Sequence, residues 1–435
     1  MTWQNWAGNV TASPARVRTP RSAPEVAEEV ARAKADGLAI RMTGTGHSFT
    51  PVAITDGVLL SPAGLTAIRS VDAEAGLVTA EAGCPLSKLN AELFARGLSL
   101  TNMGDIQVQT VAGATQTGTH GTGRSSGGMA AQVAALELVL ADGSIVTCSA
   151  DQPDPGGADD LFAAARVGLG ALGLVTAVTF RVEPTFLLHA REEPMRWSEV
   201  TARLPELISD NEHFEFYWFP HSEGCLVKRN NRSDGPARPL PRWRYWLDDE
   251  LLSNSLFGAT TRLGHLVPAT IKPVNSVASR ALSARSYTDA PYRVFTSPRR
   301  VRFKEQEYAI PAEHLPAVLT EIRGLFARKD WLISFPIEVR LAPSDDPWLS
   351  TAYGRDSAYI AIHVFRASPH AEYFAELEKV MTAVGGRPHW GKMHTRDAGY
   401  LRGVYPRFDD FLALRDQLDP ERRFGNDYLR QVLGS

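Results

Sequence analysis

A chain of 435 residues, 44% hydrophobic and 22% charged, is long enough for two or three domains and has the balance of an ordinary globular protein. Its 46 basic and 49 acidic residues leave a net charge of −3, which excludes a general electrostatic attraction to nucleic acid or to an anionic membrane. Cys84, Cys148 and Cys225 are odd in number and lack metal-ligand spacing, which excludes a disulfide framework, and no apolar run reaches the roughly 18 residues of a membrane span.

Met1 to Val10 lacks the basic and apolar stretches of a signal peptide, so with the cysteine pattern it predicts a cytoplasmic protein. Ser22-Ala23-Pro24-Glu25 has capping-box spacing, and Val26, Ala27, Val30 and Ala31 predict a helix closed by Gly37. Leu38–Met42 reads as a strand entering Thr43-Gly44-Thr45-Gly46-His47-Ser48-Phe49. Glycines there let backbone N–H groups approach a ligand closely, because no Cβ intervenes. Strands are expected at Leu65–Val71 and Leu77–Glu81, then a helix at Leu86–Arg96 stopped by Gly97. A second glycine-rich segment spans Ala112 to Gly123, and two such loops predict a large phosphate-bearing cofactor. Ala134–Leu140 and Ser144–Cys148 flank Ala141-Asp142-Gly143 as a hairpin. Asp159–Ala165 reads as a helix and Leu174–Val182 as a strand, so residues 1–185 predict an α+β domain.

Beyond it, aromatics crowd Phe214 to Phe219, and Asn230 to Arg244, basic and proline-rich, reads as a surface loop. Strands at Val301–Ile310, Ile337–Leu341 and Tyr359–Phe365, with helices at Glu313–Phe326 and His370–Ala383, predict a second α+β domain over 186–385. A separate tail, 386–435, carries a helix at Phe408–Leu418. Glu338 and Arg340, at i and i+2, share one face of a strand that otherwise reads apolar, either as an acid–base pair for chemistry or as a cross-strand ion pair. His363 poses the same choice between an active-site group and a satisfied core histidine. His389 and His394 invite a metal reading, but no carboxylate or cysteine nearby completes a ligand set, so no metal is expected. The glycine pattern also lacks the strand–helix context and downstream acid of a Rossmann fold.

Four ordered motifs, Arg41 to Phe49, Asn102-Met103-Gly104-Asp105-Ile106, Gly118-Thr119-His120-Gly121-Thr122-Gly123 and Arg387-Pro388-His389-Trp390-Gly391-Lys392-Met393-His394, resemble those of vanillyl-alcohol-oxidase-type flavoproteins. The likeness is to the sugar-lactone branch: D-arabinono-1,4-lactone oxidase, L-gulonolactone oxidase and their alditol oxidase relatives. It is strong in the first 185 and last 50 residues and thinner between about 190 and 330.

The resemblance implies a two-domain α+β FAD-binding fold with a cap, the tail returning to the cofactor domain. It implies FAD linked covalently through His47, which would orient the ring and raise its potential while the flavin carries the redox chemistry. Arg41, Thr43, Gly44, Thr45, Gly46, Ser48 and Phe49 would line one side of the cofactor. Thr110, Gly113, Thr117, Gly118, His120, Gly123 and Val175 would line the other. Gly104, beside Asp105, would sit where a small residue lets dioxygen reach the ring. Glu338, Arg340, His363 and Lys392 would be the catalytic set for a lactone or polyol alcohol, with oxygen or a redox protein as acceptor. Trp3, Asn5 and Trp6 match the pattern as packing residues only. Other readings are an alditol oxidase, a flavin-binding electron carrier without its own substrate, and a sugar-binding protein in which both glycine loops are structural.

Overall fold

The computed structural model describes residues 2–150 and 160–435. The predicted first helix spans Ala23–Ala35, with the Ser22 hydroxyl accepting from the Glu25 N–H at 3.3 Å. The Glu25 carboxylate accepts from Arg21 N–H instead of closing the capping box on Ser22. Val26, Val30 and Ala33 of this helix pack on Ile40, Val58 and Leu60, which belong to a three-stranded parallel sheet of Arg16–Arg18, Val58–Leu60 and Ile40–Met42. A five-stranded antiparallel sheet follows, ordered Ile145–Ser149, Val133–Val139, Leu174–Arg181, Leu77–Glu81 and Ile68–Asp72. The strand expected from Leu65 starts only at Ile68, because Pro62–Gly64 forms a 3-10 turn ahead of it. The helix expected at Asp159–Ala165 is present as Asp160–Ala165, Asp159 lying outside the described residues.

The rest of the chain builds an eight-stranded sheet ordered Arg285–Asp289, Leu187–Arg196, Gly224–Ser233, His213–Trp218, Ile337–Ala342, Ser357–Phe365, Phe303–Pro311 and Arg387–Pro388. Its helices, Leu315–Arg328 and Ala371–Ala383 among them, press Val318, Ile322, Phe374 and Leu377 against Phe216, Ile337, Val339, Ile360 and Ile362. Five of the strands, at 187, 213, 224, 285 and 387, were not legible in the sequence. His213–Trp218 is covered on both sides, so its aromatics show no alternation, and the predicted loop from Asn230 shrinks to 234–241 because Gly224–Ser233 is strand. Ala112–Gly123 is likewise not all loop: Val111–Gln116 is a short helix with the Thr110 hydroxyl capping Gly113 N–H.

The tail adds Arg387–Pro388 to the edge of the large sheet and then crosses back. Ile40 N–H donates to Arg423 C=O, and the Asn426 amide donates to the carbonyls of Pro51, Val52 and Ile54. Arg41 ties the same region together. Its guanidinium, buried and lowered to about 10 by burial although Asp419 opposes the shift, donates to the carbonyls of Val52, Leu169, Gly170 and Phe424. Replacing Arg41 with Met strands several buried acceptors at about 1–3 kcal/mol each. The expected result is a melting temperature lowered by several degrees, read by thermal unfolding of the holoprotein.

Candidate active site

Strand alternation sorts the large sheet into an apolar face under the helices and a charged face opposite. Ile337 and Val339 point to the helices, so Glu338 and Arg340 point away; Tyr359, Ala361 and His363 alternate with Ile360 and Ile362 in the same manner. Register then sets Tyr217 opposite Glu338, Glu215 opposite Arg340, and Glu305 opposite His363. The charged face closes a cavity with His47, Ser48, Phe49, Asp105, Thr117, His120 and Lys392 from the other side.

Within it Tyr217 donates to the Glu338 carboxylate at 2.6 Å, and Arg340 pairs with Glu338. Arg340 also donates through Nε to Glu215 at 3.0 Å and lies 3.3 Å from Asp105 through Nη2. Burial pushes the Glu338 carboxyl up, Arg340 opposing it and the neighbouring carboxylates Glu215 and Asp105 adding to it. Asp105 goes the other way: Arg299, Arg340 and Lys392 outweigh its burial and hold it well below the usual carboxylate range. Lys392 pairs with Glu305, whose other oxygen lies 3.4 Å from His363 Nε2. Burial pulls the Lys392 ammonium down, but Glu305 and Glu307 outweigh it and raise it, so it stays charged.

Among the described residues, His120, Glu307 and His389 bring donor atoms within 4.8 Å of one another and are the one set placed to hold a metal ion. Sequence spacing hid the carboxylate because Glu307 comes from a distant strand. The same atoms are engaged otherwise. Glu307 faces His120 Nε2 at 3.2 Å, Gly121 C=O faces His120 Nδ1, and His389 Nδ1 accepts from Gly391 N–H. Burial drives His389 down to about 3, so its ring is neutral.

A second cavity adjoins the first through His47, Ser48, Gln109 and Thr117. Arg41, Thr43, Gly44, Thr45, Gly46, Thr110, Gly113 and Val175 line it as well. The wall suits a dinucleotide. A Cβ on Gly44 or on Gly113 would come 2.9 Å from the Thr110 hydroxyl, and Gly46, at φ +75°, would bring one 2.9 Å from the Trp3 ring. These gaps are kept open by the absence of side chains. Threonine and serine hydroxyls surround them, and the buried Gln109 Oε1, facing both cavities, has no protein partner. Arg41 lines the wall with its guanidinium turned away, so the donors the wall offers are neutral. The residues fit FAD: the glycine loop would hold its phosphates, and His47 stands where the two cavities meet. Burial, then Lys392, lowers His47 to about 4, leaving a neutral imidazole that stacks on Trp6 at 5.3 Å.

Gly104, Gly118 and Gly123 line neither cavity. Gly118, at φ +73°, turns the chain after the short helix, and a side chain on Gly123 would strike Ser126 C=O. A Cβ on Gly104 would come 2.9 Å from Thr119 Cγ2 and 3.3 Å from His120 C=O, behind the cavity wall. Sequence reasoning missed Tyr217, Glu215, Glu305, Glu307, Arg299 and Gln109, and assigned Trp6 to packing although it lines the cavity. The Glu305-Gln306-Glu307 spacing repeats that of Glu338 and Arg340 and was a usable signal.

Residues 14–149 match the FAD binding domain family and residues 178–432 the D-arabinono-1,4-lactone oxidase family. L-gulono-1,4-lactone dehydrogenase of Mycobacterium tuberculosis is 40% identical over 432 residues, 99% of each chain. L-gulonolactone oxidase of Bos taurus is 32% identical, and alditol oxidase of a Streptomyces species 33%, each over 99% of this chain and 98% of theirs. The crystal structure of cholesterol oxidase from B. sterolicum superposes with a TM-score of 0.81 over 99% of this chain and 96% of that one, at 19% identity, which speaks to the two-domain α+β FAD-binding fold. The chain belongs to the D-arabinono-1,4-lactone oxidase family of FAD-linked oxidoreductases.

Proposed function

We propose that this protein oxidises the C2 hydroxyl of an aldono-1,4-lactone to the 2-keto lactone, which tautomerises to an enediol. The observation that carries the reading is the buried Glu338–Arg340 pair, held by Tyr217 and Glu215 and facing His47 across the cavity. The chemistry FAD supplies when bound is hydride acceptance and the release of two electrons to dioxygen, as hydrogen peroxide, or to another acceptor such as a redox protein. Glu338 takes the hydroxyl proton as the carbinol C–H is lost. Arg340 and Lys392, both cationic, stabilise the developing alkoxide, and His363 with Glu305 fixes the ring hydroxyls. Residues 1–185 hold the cofactor, 186–385 the substrate, and 386–435 return to the first domain. Three cysteines free of disulfides, all buried, suit a cytoplasmic setting, and no described helix is long and apolar enough to cross a membrane.

Higher identity to the lactone dehydrogenase than to the alditol oxidase favours a lactone over an open polyol. An electron carrier would not need the buried charge set. Anaerobic bleaching of the flavin with a panel of aldonolactones and alditols tests the reading; failure of every lactone to bleach it would end it.

The neutral His47 imidazole offers a ring nitrogen to the flavin methyl group, so we assign it the covalent link. His47→Ala protein is expected to lose its yellow colour on acid precipitation, where the parent protein keeps it. Its turnover is expected to fall about tenfold, a rise of roughly 1.4 kcal/mol in the barrier. Mass spectrometry of the peptide containing His47 checks the bond directly.

A further inference from the structure

A groove of about 770 Å³ opens on the helix-covered face of the large sheet and shares no residue with the two cavities described above. Trp218 lies in its floor, and strand alternation turns it away from Tyr217, which faces the catalytic cavity. Helices Ile271–Ala281 and Leu315–Arg328 contribute its walls, and the turn ahead of Gly224 closes one end. The volume falls in the range of small-molecule sites, roughly 300–1,000 Å³. Fixed contacts hold the groove in shape. The buried Asn275 amide donates to Pro220 C=O at 3.1 Å and to Ile333 C=O at 2.9 Å, and Ile333 N–H donates to His221 Nε2 at 3.4 Å. His221 sits at φ +66°, a conformation uncommon outside glycine. Gly224 lets strand and helix approach closely, since a Cβ there would come 2.5 Å from Ser279 Cβ.

The lining has two characters. Met195, Trp218, Leu282 and Phe326 are apolar, and Arg196, Arg280 and Arg323 stand around them. Neither Arg196 nor Arg280 has a carboxylate partner among the described residues. Arg323 lies over the Trp197 ring at 5.1 Å and pairs with Glu223 through Nη2, but its Nη1 is buried without an acceptor. Of the acids in the lining, Glu223 is thus engaged, and Glu199 accepts from Arg196 N–H at 3.3 Å. His221 adds no charge, since burial and then Lys272 lower it to about 4. An inorganic anion would pair with the guanidiniums and leave the apolar floor wet. An uncharged apolar molecule would cover the floor and strip water from unpaired cations. An organic anion with a flat apolar body answers both, the fork of a guanidinium matching a carboxylate.

We propose that this groove binds an aromatic carboxylate, its ring lying along Leu282 and Phe326 and its carboxylate held by Arg280 and Arg323. The site needs neither the flavin nor the lactone, so it stands or falls apart from the oxidation described above.

Isothermal titration of the FAD-loaded protein with 2-naphthoate tests it. Expected is saturable binding of one molecule per chain, weakened by added salt, with no saturable heat from inorganic phosphate or from uncharged 2-naphthol. Arg280→Gln and Arg323→Gln should each weaken binding about fivefold. Arg280 is exposed, so its variant keeps flavin colour and turnover. Ser276→Trp places a large side chain in the groove and should abolish binding. Absence of saturable heat, or equal binding of 2-naphthol, would overturn the proposal. So would unchanged affinity in both Arg280→Gln and Ser276→Trp, because the naphthoate would then sit elsewhere.

Discussion

Glu338→Gln protein is expected to bind flavin normally and to lose about 10²–10⁴ in turnover, the contribution typical of one positioned general base. The change is nearly isosteric and leaves an oxygen for the Tyr217 hydroxyl, so the cavity keeps its shape. What it removes is the carboxylate proposed to take the alcohol's proton. Because burial raises the Glu338 carboxyl, and activity needs its ionised form, kcat/KM of the parent enzyme rises with pH through a limb above the ordinary glutamate range. That limb should vanish in Glu338→Gln. Tyr217→Phe keeps the carboxylate and removes a donor to its charged form, so its limb should move to higher pH with a smaller loss of rate. Anaerobic flavin bleaching across a pH series reads all three proteins. A Glu338→Gln variant that bleaches at the parent rate would refute the assignment.

The second large effect concerns Arg340. Its guanidinium touches Glu338, Glu215 and Asp105, and its side chain is 8% exposed. Arg340→Met leaves Glu338 buried without its leading cation, which costs about 3–5 kcal/mol. Without it, desolvation and repulsion from Glu215 and Asp105 raise the folded-state pKa of Glu338 further above that of the unfolded chain, while Arg299 still holds Asp105 and Lys228 still holds Glu215. Groups raised in this way destabilise above the unfolded carboxylate pKa and cease to do so once both states are protonated. The deficit is therefore largest at neutral and higher pH and shrinks as pH falls. Thermal melts of parent and variant at several pH values check the sign; a gap that widens toward acid would contradict it. Kinetically, the acid limb should move upward, since Glu338 loses the charge that opposes its burial.

Much of this site was legible because its parts carry local signatures. Gly44, Gly46 and Gly113 stand where a side chain would fill the cavity, and Glu338 and Arg340 stand out against Ile337 and Val339. What stayed hidden depends on register. Tyr217 meets Glu338 only because His213–Trp218 pairs with Ile337–Ala342, and nothing within either segment announces that pairing. Arg41 shows the opposite difficulty. Its place beside the glycine loop suggested a cofactor ligand, while carbonyls from residues 52, 169, 170 and 424 claim its donors. The segment from Asn230 to Arg244 read as a loop because prolines and arginines obscure where the strand ends and the helices with outward leucines begin.

The late residues holding Ile40, Arg41 and the carbonyls of Pro51 to Ile54 set an order on synthesis. A ribosome exposes the glycine loop hundreds of residues before Arg423, Phe424 and Asn426 emerge to brace it. A nascent chain that stops before Arg423 therefore lacks the bonds that brace Ile40, Arg41 and the carbonyls of Pro51 to Ile54.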